Sequence, residues 1–429
     1  MSELFPRLIP FVGIAVMVAI CLAMSTNRGA ALKRWDLIAW GFGLQFVFAL
    51  LILKTEPGAW LFSAANDVFI GVIGATQAGS EFVFGPLAKN PSPVSMGPII
   101  AFYVLPTIIF FSALMSVLYH LGVMQKVVRG LAWVMQRTLK TSGAETLSAS
   151  ANIFVGQTEA PLVVRPFIGK MTQSELMTVM VGGFATVAGG VMAAYVSFLQ
   201  NSIPNIAGHL MAASVMSAPA ALIFGKLMVP ETETPETAGT LPINVEKETT
   251  NVLDAATVGT TEGVRLAINV GGMLIAFLAL IALVDICLGG IGKAIFGGTV
   301  PTWYSEWVNL RAAVGAVFAP LAWLMGITEW GDAVQVGRLM GIKMVANEFV
   351  AYIDLGAIGD AGAISERSRI IASYALCGFA NFGSIGIQIG GLAVMAPERR
   401  ADLSRLALRA MLAGTFAANA TGCVAAILI

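Results

Sequence analysis

Charge is scarce in this chain. Asp, Glu, Lys and Arg together make up 12% of its 429 residues, and the formal net charge is zero. A soluble domain carries about 25% of such residues, so composition excludes a string of soluble domains. A neutral chain also lacks the basic surface that nucleic acid demands, and no nucleic-acid partner is expected. Histidine is nearly absent: His120 and His209 fall at the ends of apolar stretches, which leaves little for histidine-based acid–base chemistry. The four cysteines, Cys21, Cys287, Cys377 and Cys423, lie singly in apolar segments. No spacing among them suits a metal, and each reads as a small buried hydrophobe.

What the chain has instead is apolar length. Hydrophobic residues make up 57%, mean hydropathy is +0.81, and there are 46 glycines. The fold class expected is an all-α polytopic membrane protein. Stretches at 4–24, 37–53, 98–119, 174–199, 207–228, 265–288, 368–396 and 404–428 are each long enough to cross about 30 Å of hydrocarbon, which predicts eight transmembrane helices. The first lacks a positive flank and a clear cleavage site, so it reads as a span rather than a signal peptide. Residues 60–77 and 121–140 are amphipathic and predict interfacial helices. Residues 229–251, VPETETPETAGTLPINVEKETTN, form a polar linker. Two stretches, 142–169 and 330–360, are too polar and too interrupted to span, and predict re-entrant hairpins. With the N-terminus outside, most of the lysines and arginines fall inside, led by NRGAALKR at 27–34. Both termini are then expected outside.

A repeat lies within this pattern. Gly-Phe-Ala occurs in GGFATVAGGV at 182–191 and again in CGFANFGSIG at 377–386. Each copy follows an interrupted hairpin, and each hairpin carries an acidic residue at its expected tip, Glu159 and Glu348. The order of segments also matches: amphipathic (121–140; 305–326), hairpin, broken span, intact span. The layout places the two hairpins on opposite sides, so the units are inverted. Inverted repeats with discontinuous helices are the pattern of secondary transporters, which bind substrate near the midplane.

The polar residues cluster at the breaks. NIFVGQTEAPLVV, residues 152–164, offers Asn152, Gln157, Thr158 and Glu159; the second hairpin offers Asn347 and Glu348; the broken spans offer Thr186, Asn381 and Ser384. Short amides, hydroxyls and carboxylates suit a ligand rich in hydroxyls and amide-like edges. Backbone carbonyls freed near Asn152–Val155 and Thr186–Val187 suit a small hard cation. A purely structural alternative pairs Glu159 with Arg165, pairs Glu348 with Lys343, and leaves Asn381 and Ser384 to interhelical hydrogen bonds. A channel would need a continuous polar lining. An intramembrane enzyme would need a nucleophile or paired aspartates, and GAIGD at 356–360 has no matching partner. The chain is expected not to be an enzyme.

Three motifs then carry a resemblance. GIKMVANEFVAY (341–352), GQTEAP (156–161) and CGFANFGSIGI (377–387) resemble, in order and over nearly the whole chain, the concentrative nucleoside transporter family. The resemblance implies sodium-coupled uptake of nucleosides such as uridine across the inner (plasma) membrane, by an elevator-like movement in a homotrimer. It implies a scaffold at 1–120 and 265–304, a transport domain at 121–228 and 305–429, and a polar linker at 229–264. It implies that the nucleobase meets Gln157, Thr158, Glu159 and Val191. The ribose would meet Glu348, Asn381 and Ser384, with Phe379 packing nearby. Sodium would be held by Asn152, Val155, Thr186 and Val187. Thr186 stands where the family's serine is expected and keeps the hydroxyl. The intact NIFVGQTE favours sodium over the alternative, a proton-coupled nucleoside symporter.

Overall fold

Long apolar stretches form helices wherever side chains at the ends satisfy the free N–H groups. The computed structural model describes residues 5–88, 99–239 and 249–429, apart from the side chains of 305–307. Among the described residues all regular structure is helical. The principal helices are α1 (Phe5–Ala23), α2 (Trp35–Lys54), α3 (Glu56–Phe84), α4 (Leu105–His120) and α5 (Val123–Leu139). A short helix α6 (Gly143–Ala151) follows, then the pair α7 (Gln173–Ala185) and α8 (Gly189–Leu199), and α9 (Ile206–Met228). The 45-residue α10 (Val252–Phe296) leads to α11 (Leu310–Leu324), α12 (Trp330–Val345), α13 (Glu348–Asp360), α14 (Glu366–Leu376), α15 (Phe382–Met395) and α16 (Arg400–Leu428).

The two repeats are visible in this order. Helix α6 and a return limb made of a 3-10 turn (Ala160–Val164) and a single helical turn (Arg165–Ile168) form the first hairpin; α12 and α13 form the second. Both expected broken spans are broken. The first opens at residues 186–188 between α7 and α8, the second at 377–381 between α14 and α15.

Side-chain ties set the two hairpins at opposite ends. Arg7 donates to the carbonyl of Ile429 at 3.2 Å, and Arg367 to that of Ala426 at 2.6 Å. Ser365, the N-cap of α14, donates through N and Oγ to Asp332 at the base of the second hairpin, at 3.0 and 2.8 Å. These residues share one end of α1. At the other end, the N–H of Thr26 bonds to the carbonyl of Met228 and Arg34 donates to Leu139. There Ser142 and Thr172 start α6 and α7 with capping boxes to Glu145 and Glu175. The Ser142 hydroxyl also donates to Glu175, tying that hairpin base to the helix that follows it.

Several elements differ from the sequence reading. Residues 60–77 lie within α3, whose segment 56–88 has the length and hydropathy to cross a membrane. Eight segments meet that standard among the described residues, but they are not the expected eight. The broken stretch 368–396 drops out: its halves α14 and α15, of 11 and 14 residues, are parted by the longer break at 377–381, whereas α7 and α8 are parted by 186–188 alone. The expected span 98–119 begins in the residues left undescribed and continues as Ile100–Tyr103 and α4. Helix α10 starts at Val252, inside the expected linker. Asn251 caps it, and Thr257, Thr260 and Thr261 satisfy their hydroxyls on carbonyls four residues back. Gly259 and Gly263 then press on α4, where an added Cβ would lie 2.6 Å from the Ser112 carbonyl and 2.7 Å from Ile109 Cα. Small residues four apart allow this close approach. Cys287 is exposed on the same helix, whereas Cys21, Cys377 and Cys423 are buried as expected.

Candidate functional site

The second hairpin delivers its carboxylate through a helix start. Asn347 caps α13 by accepting from the N–H of Val350 at 3.0 Å, which fixes Glu348 in the first turn. Glu348 Oε1 accepts from the Tyr195 hydroxyl and Oε2 from Asn381 Nδ2, both at 2.9 Å. Asn381 is in turn the N-cap of α15: its Oδ1 accepts from the N–H of Ser384 at 2.8 Å. Glu348, Asn381 and Ser384 are therefore one buried, connected group. Phe379 sits in the same break, its carbonyl taking the Asn381 N–H at 2.9 Å. Stacked aromatics back the group: the Tyr195 ring lies 4.3 Å from that of Tyr352 and 5.4 Å from that of Phe349. Two helix N-termini, α13 and α15, converge here and add positive dipole ends.

The first hairpin turns at Gly156. The N–H groups of Glu159 and Ala160 both bond to the Gly156 carbonyl, and a side chain at 156 would collide with the Glu159 carboxylate. Pro161, in the first turn of the return limb, needs no N–H partner there. Glu159 is accessible although protein surrounds it, while Gln157 is buried. Thr158 rests against Gly391 of α15, and Gln157 against Gly183 of α7. Val191 is buried in the first turn of α8.

Two contacts join this tip to the breaks. The Phe154 carbonyl accepts the N–H of Gly189 at 3.0 Å, which docks the hairpin on the first break. Gly378, at φ +138°, lies where a Cβ would stand 2.7 Å from the Phe184 carbonyl, so the two breaks cross there. Of the four residues expected to hold a cation, Asn152 and Thr186 meet around Gly182. Thr186 Oγ1 donates to the Gly182 carbonyl at 2.9 Å, and an added Cβ on Gly182 would lie 3.2 Å from Asn152 Nδ2. Asn152 Oδ1 is buried without a hydrogen-bond donor. A lone buried acceptor oxygen fits a hard cation, which takes oxygen ligands. Val187 is buried and Val155 half-buried nearby in sequence.

The two ion pairs of the structural alternative are absent among the described residues, whereas its interhelical hydrogen bond from Asn381 is present, made to Glu348 itself. Ion pairs within 4.0 Å include neither Glu159 with Arg165 nor Glu348 with Lys343. Arg165 is exposed, and Lys343 donates instead to the Ala375 carbonyl at 2.9 Å.

A family model described as the C-terminus of the Na+ dependent nucleoside transporters matches residues 209–426; its N-terminal counterpart matches 12–87, and a nucleoside recognition (Gate) model matches 101–202. The chain belongs to the Na+-dependent, or concentrative, nucleoside transporter family. It is 45% identical to an uncharacterized transporter of Haemophilus influenzae, over 97% of this chain and 96% of that one. It is 41% identical to sodium/nucleoside cotransporter 1 of Mus musculus over 98% of its own length, and spans 64% of that longer relative. Among solved structures it is similar to CNTnw in an inward-facing substrate-bound state, with a TM-score of 0.88 and 41% identity over 98% of this chain and 97% of that one. A CNTnw variant in an outward-facing state gives a TM-score of 0.87. Members of this family are transporters, not enzymes.

In this nucleoside transporter, sequence reasoning passed over three functional neighbours. Tyr195 holds Glu348; it stands four residues after Val191 and so shares its helix face, a usable signal. Gln388, one turn after Ser384, donates to the Met180 carbonyl at 2.8 Å across the two repeats. Lys226 is buried and pairs with Glu145 at 2.8 Å and Glu231 at 3.1 Å.

Proposed function

We propose that the chain is a sodium-coupled nucleoside symporter. The observation that carries the reading is the convergence of both hairpins on one place: the Glu348–Asn381–Ser384 group faces crossing helix breaks on which the Gln157–Thr158–Glu159 tip is docked. The Glu348 carboxylate of the second hairpin, with Asn381 and Ser384 of the second break, accepts from and donates to ribose hydroxyls, while the first tip and Val191 meet the base. Phe379 packs beside the sugar. The cation is held by Asn152 Oδ1, Thr186 Oγ1 and main-chain oxygens of Val155 and Val187. Sodium there orders the first hairpin and raises nucleoside affinity, and by linkage the nucleoside raises sodium affinity by the same factor.

The two hairpins are re-entrant, and eight spans put both termini outside the inner membrane; the Arg7–Ile429 hydrogen bond supports the two ends lying on the same side. Residues 1–120 and α10 to residue 304 form a scaffold and 121–228 and 305–429 a moving transport domain, with 229–251 as linker, in a homotrimer. The sodium/nucleoside names of the relatives support the ion and the substrate class. The test is accumulation of labelled uridine in proteoliposomes under sodium, choline or proton gradients. Concentrative uptake under sodium alone is expected. Equal uptake in choline removes the sodium assignment, and uptake driven by protons makes the chain a proton-coupled symporter instead.

A further inference from the structure

We propose that Gln388 is a specificity-determining positioning residue: it decides which way Gln157 presents its amide to the base. The inference rests on the transport reading above. Gln388 lies on α15 one turn beyond Ser384 and is 1% exposed. Its Nε2 donates to the Met180 carbonyl of α7 at 2.8 Å, and its Oε1 is buried without a donor. Gln157 Oε1 is likewise buried without a donor. The two side chains meet over Gly183: a Cβ added there would collide with Gln388 Nε2 and stand 2.8 Å from Gln157 Cβ. Glycine at 183 thus makes room for the Gln388 amide beside the base of the Gln157 side chain.

The chemistry follows from what each end of an amide can do. A carboxamide offers one acceptor end and one donor end of nearly equal shape, so an isolated glutamine reads a ligand's donor or acceptor equally well after a flip. A main-chain carbonyl only accepts. Met180 therefore commits the NH2 of Gln388, and the oxygen of Gln388 is left as an acceptor toward the hairpin tip. Gln157 is the tip residue that can turn an NH2 to it, since no donor reaches either glutamine oxygen here. With that NH2 committed, the Gln157 oxygen is what the ligand meets, and the site selects an N–H on the base edge such as the imide N3–H of uridine. A buried acceptor left without that N–H is penalised, which gives selection by omission.

The experiment compares binding of uridine and 3-methyluridine, with sodium, to the purified wild type and to Gln388→Met, which keeps the length of the side chain and removes both amide ends. The wild type is expected to prefer uridine. In Gln388→Met, uridine affinity should fall about fivefold, as one net hydrogen bond allows, with 3-methyluridine affinity held within about twofold. An equal fall for both ligands is a packing effect and overturns the proposal, as does an unchanged ratio or a wild type indifferent to the methyl group. Should Gln388→Met not fold, Gln388→Glu keeps the acceptor toward Gln157; it should retain the wild-type ratio, and loss of the ratio overturns the proposal. Absence of all nucleoside binding by the wild type sinks the transport reading and this inference with it, whereas normal binding with an unmoved ratio sinks this inference alone.

Discussion

Tyr195 and Glu348 stand in opposite repeats, and the Tyr195 hydroxyl donates to Glu348 Oε1 at 2.9 Å while Asn381 holds Oε2 at the same distance. Each carboxylate oxygen thus keeps one acceptor direction for protein and one for ligand. The phenol orients the carboxylate without charge of its own. Tyr195→Phe keeps the stacking on Tyr352 and deletes only that donor. We predict an increase in KM for uridine of about tenfold, as expected for a hydrogen bond to a carboxylate, with thermal stability nearly unchanged. A wild-type KM in Tyr195→Phe would remove the positioning role.

Gly378 carries the crossing of the two breaks. Its φ of +138° is closed to side-chain-bearing residues, and an added Cβ would press on the Phe184 carbonyl. Gly378→Ala is predicted to lower the unfolding midpoint in detergent sharply or to prevent recovery of folded protein. Gly386→Ala, in α15 where a Cβ meets nothing within 4 Å, is the control and should be neutral. Equal midpoints for the two variants would show that the crossing tolerates a side chain.

The site was largely legible because polar residues in apolar spans are expensive and so draw attention. Glu348, Asn381 and Ser384 were picked out at the breaks on that ground and grouped by the family resemblance, and in the structure they are hydrogen-bonded to one another. Asn152 and Thr186 both lie against Gly182, although which carbonyls lie beside them is a matter of backbone path that composition does not carry. Tyr195 was missed because an aromatic ring inside an apolar helix has the pattern of core packing. Lys226 was missed because a charge at the end of a span has the pattern of a flank, and its partner Glu145 belongs to a distant segment. The early start of α10 was hidden by Thr and Gly, which suggest a loop; the threonines satisfy their hydroxyls within the helix and the glycines pack on α4. Local composition cannot register that tertiary compensation.

Asn152 tests the cation. Its Nδ2 donates to the Ser148 carbonyl at 3.1 Å, which leaves the buried Oδ1 as the free end. Asn152→Ala removes that oxygen together with the Nδ2 bond to Ser148, so the test is read from the sodium dependence and not from stability. The half-saturating sodium concentration for uridine binding is predicted to rise on the order of tenfold, with affinity at saturating sodium much less affected. A sodium titration that superimposes on the wild type would assign the cation elsewhere.

Lys226 and Glu145 make the fourth test, this time of stability. The pair lies 2.8 Å apart with side-chain exposures of 5% and 0%, at the base of the first hairpin, and Glu231 adds a second contact at 3.1 Å. Removing one member of such a pair leaves an uncompensated buried charge, at a cost of about 3–5 kcal/mol, whereas removing both with similar volume is often nearly neutral. Lys226→Met alone and Glu145→Gln alone should therefore both lower the unfolding midpoint, and Lys226→Met should lower it more, because it strands two carboxylates. Joining the two substitutions should recover part of the loss, though not all of it, since Glu231 still faces the methionine. Strictly additive losses in the double variant would mean that the two groups are not coupled, and the base of the hairpin would then be held by the Ser142–Glu175 and Thr172–Glu175 capping contacts instead.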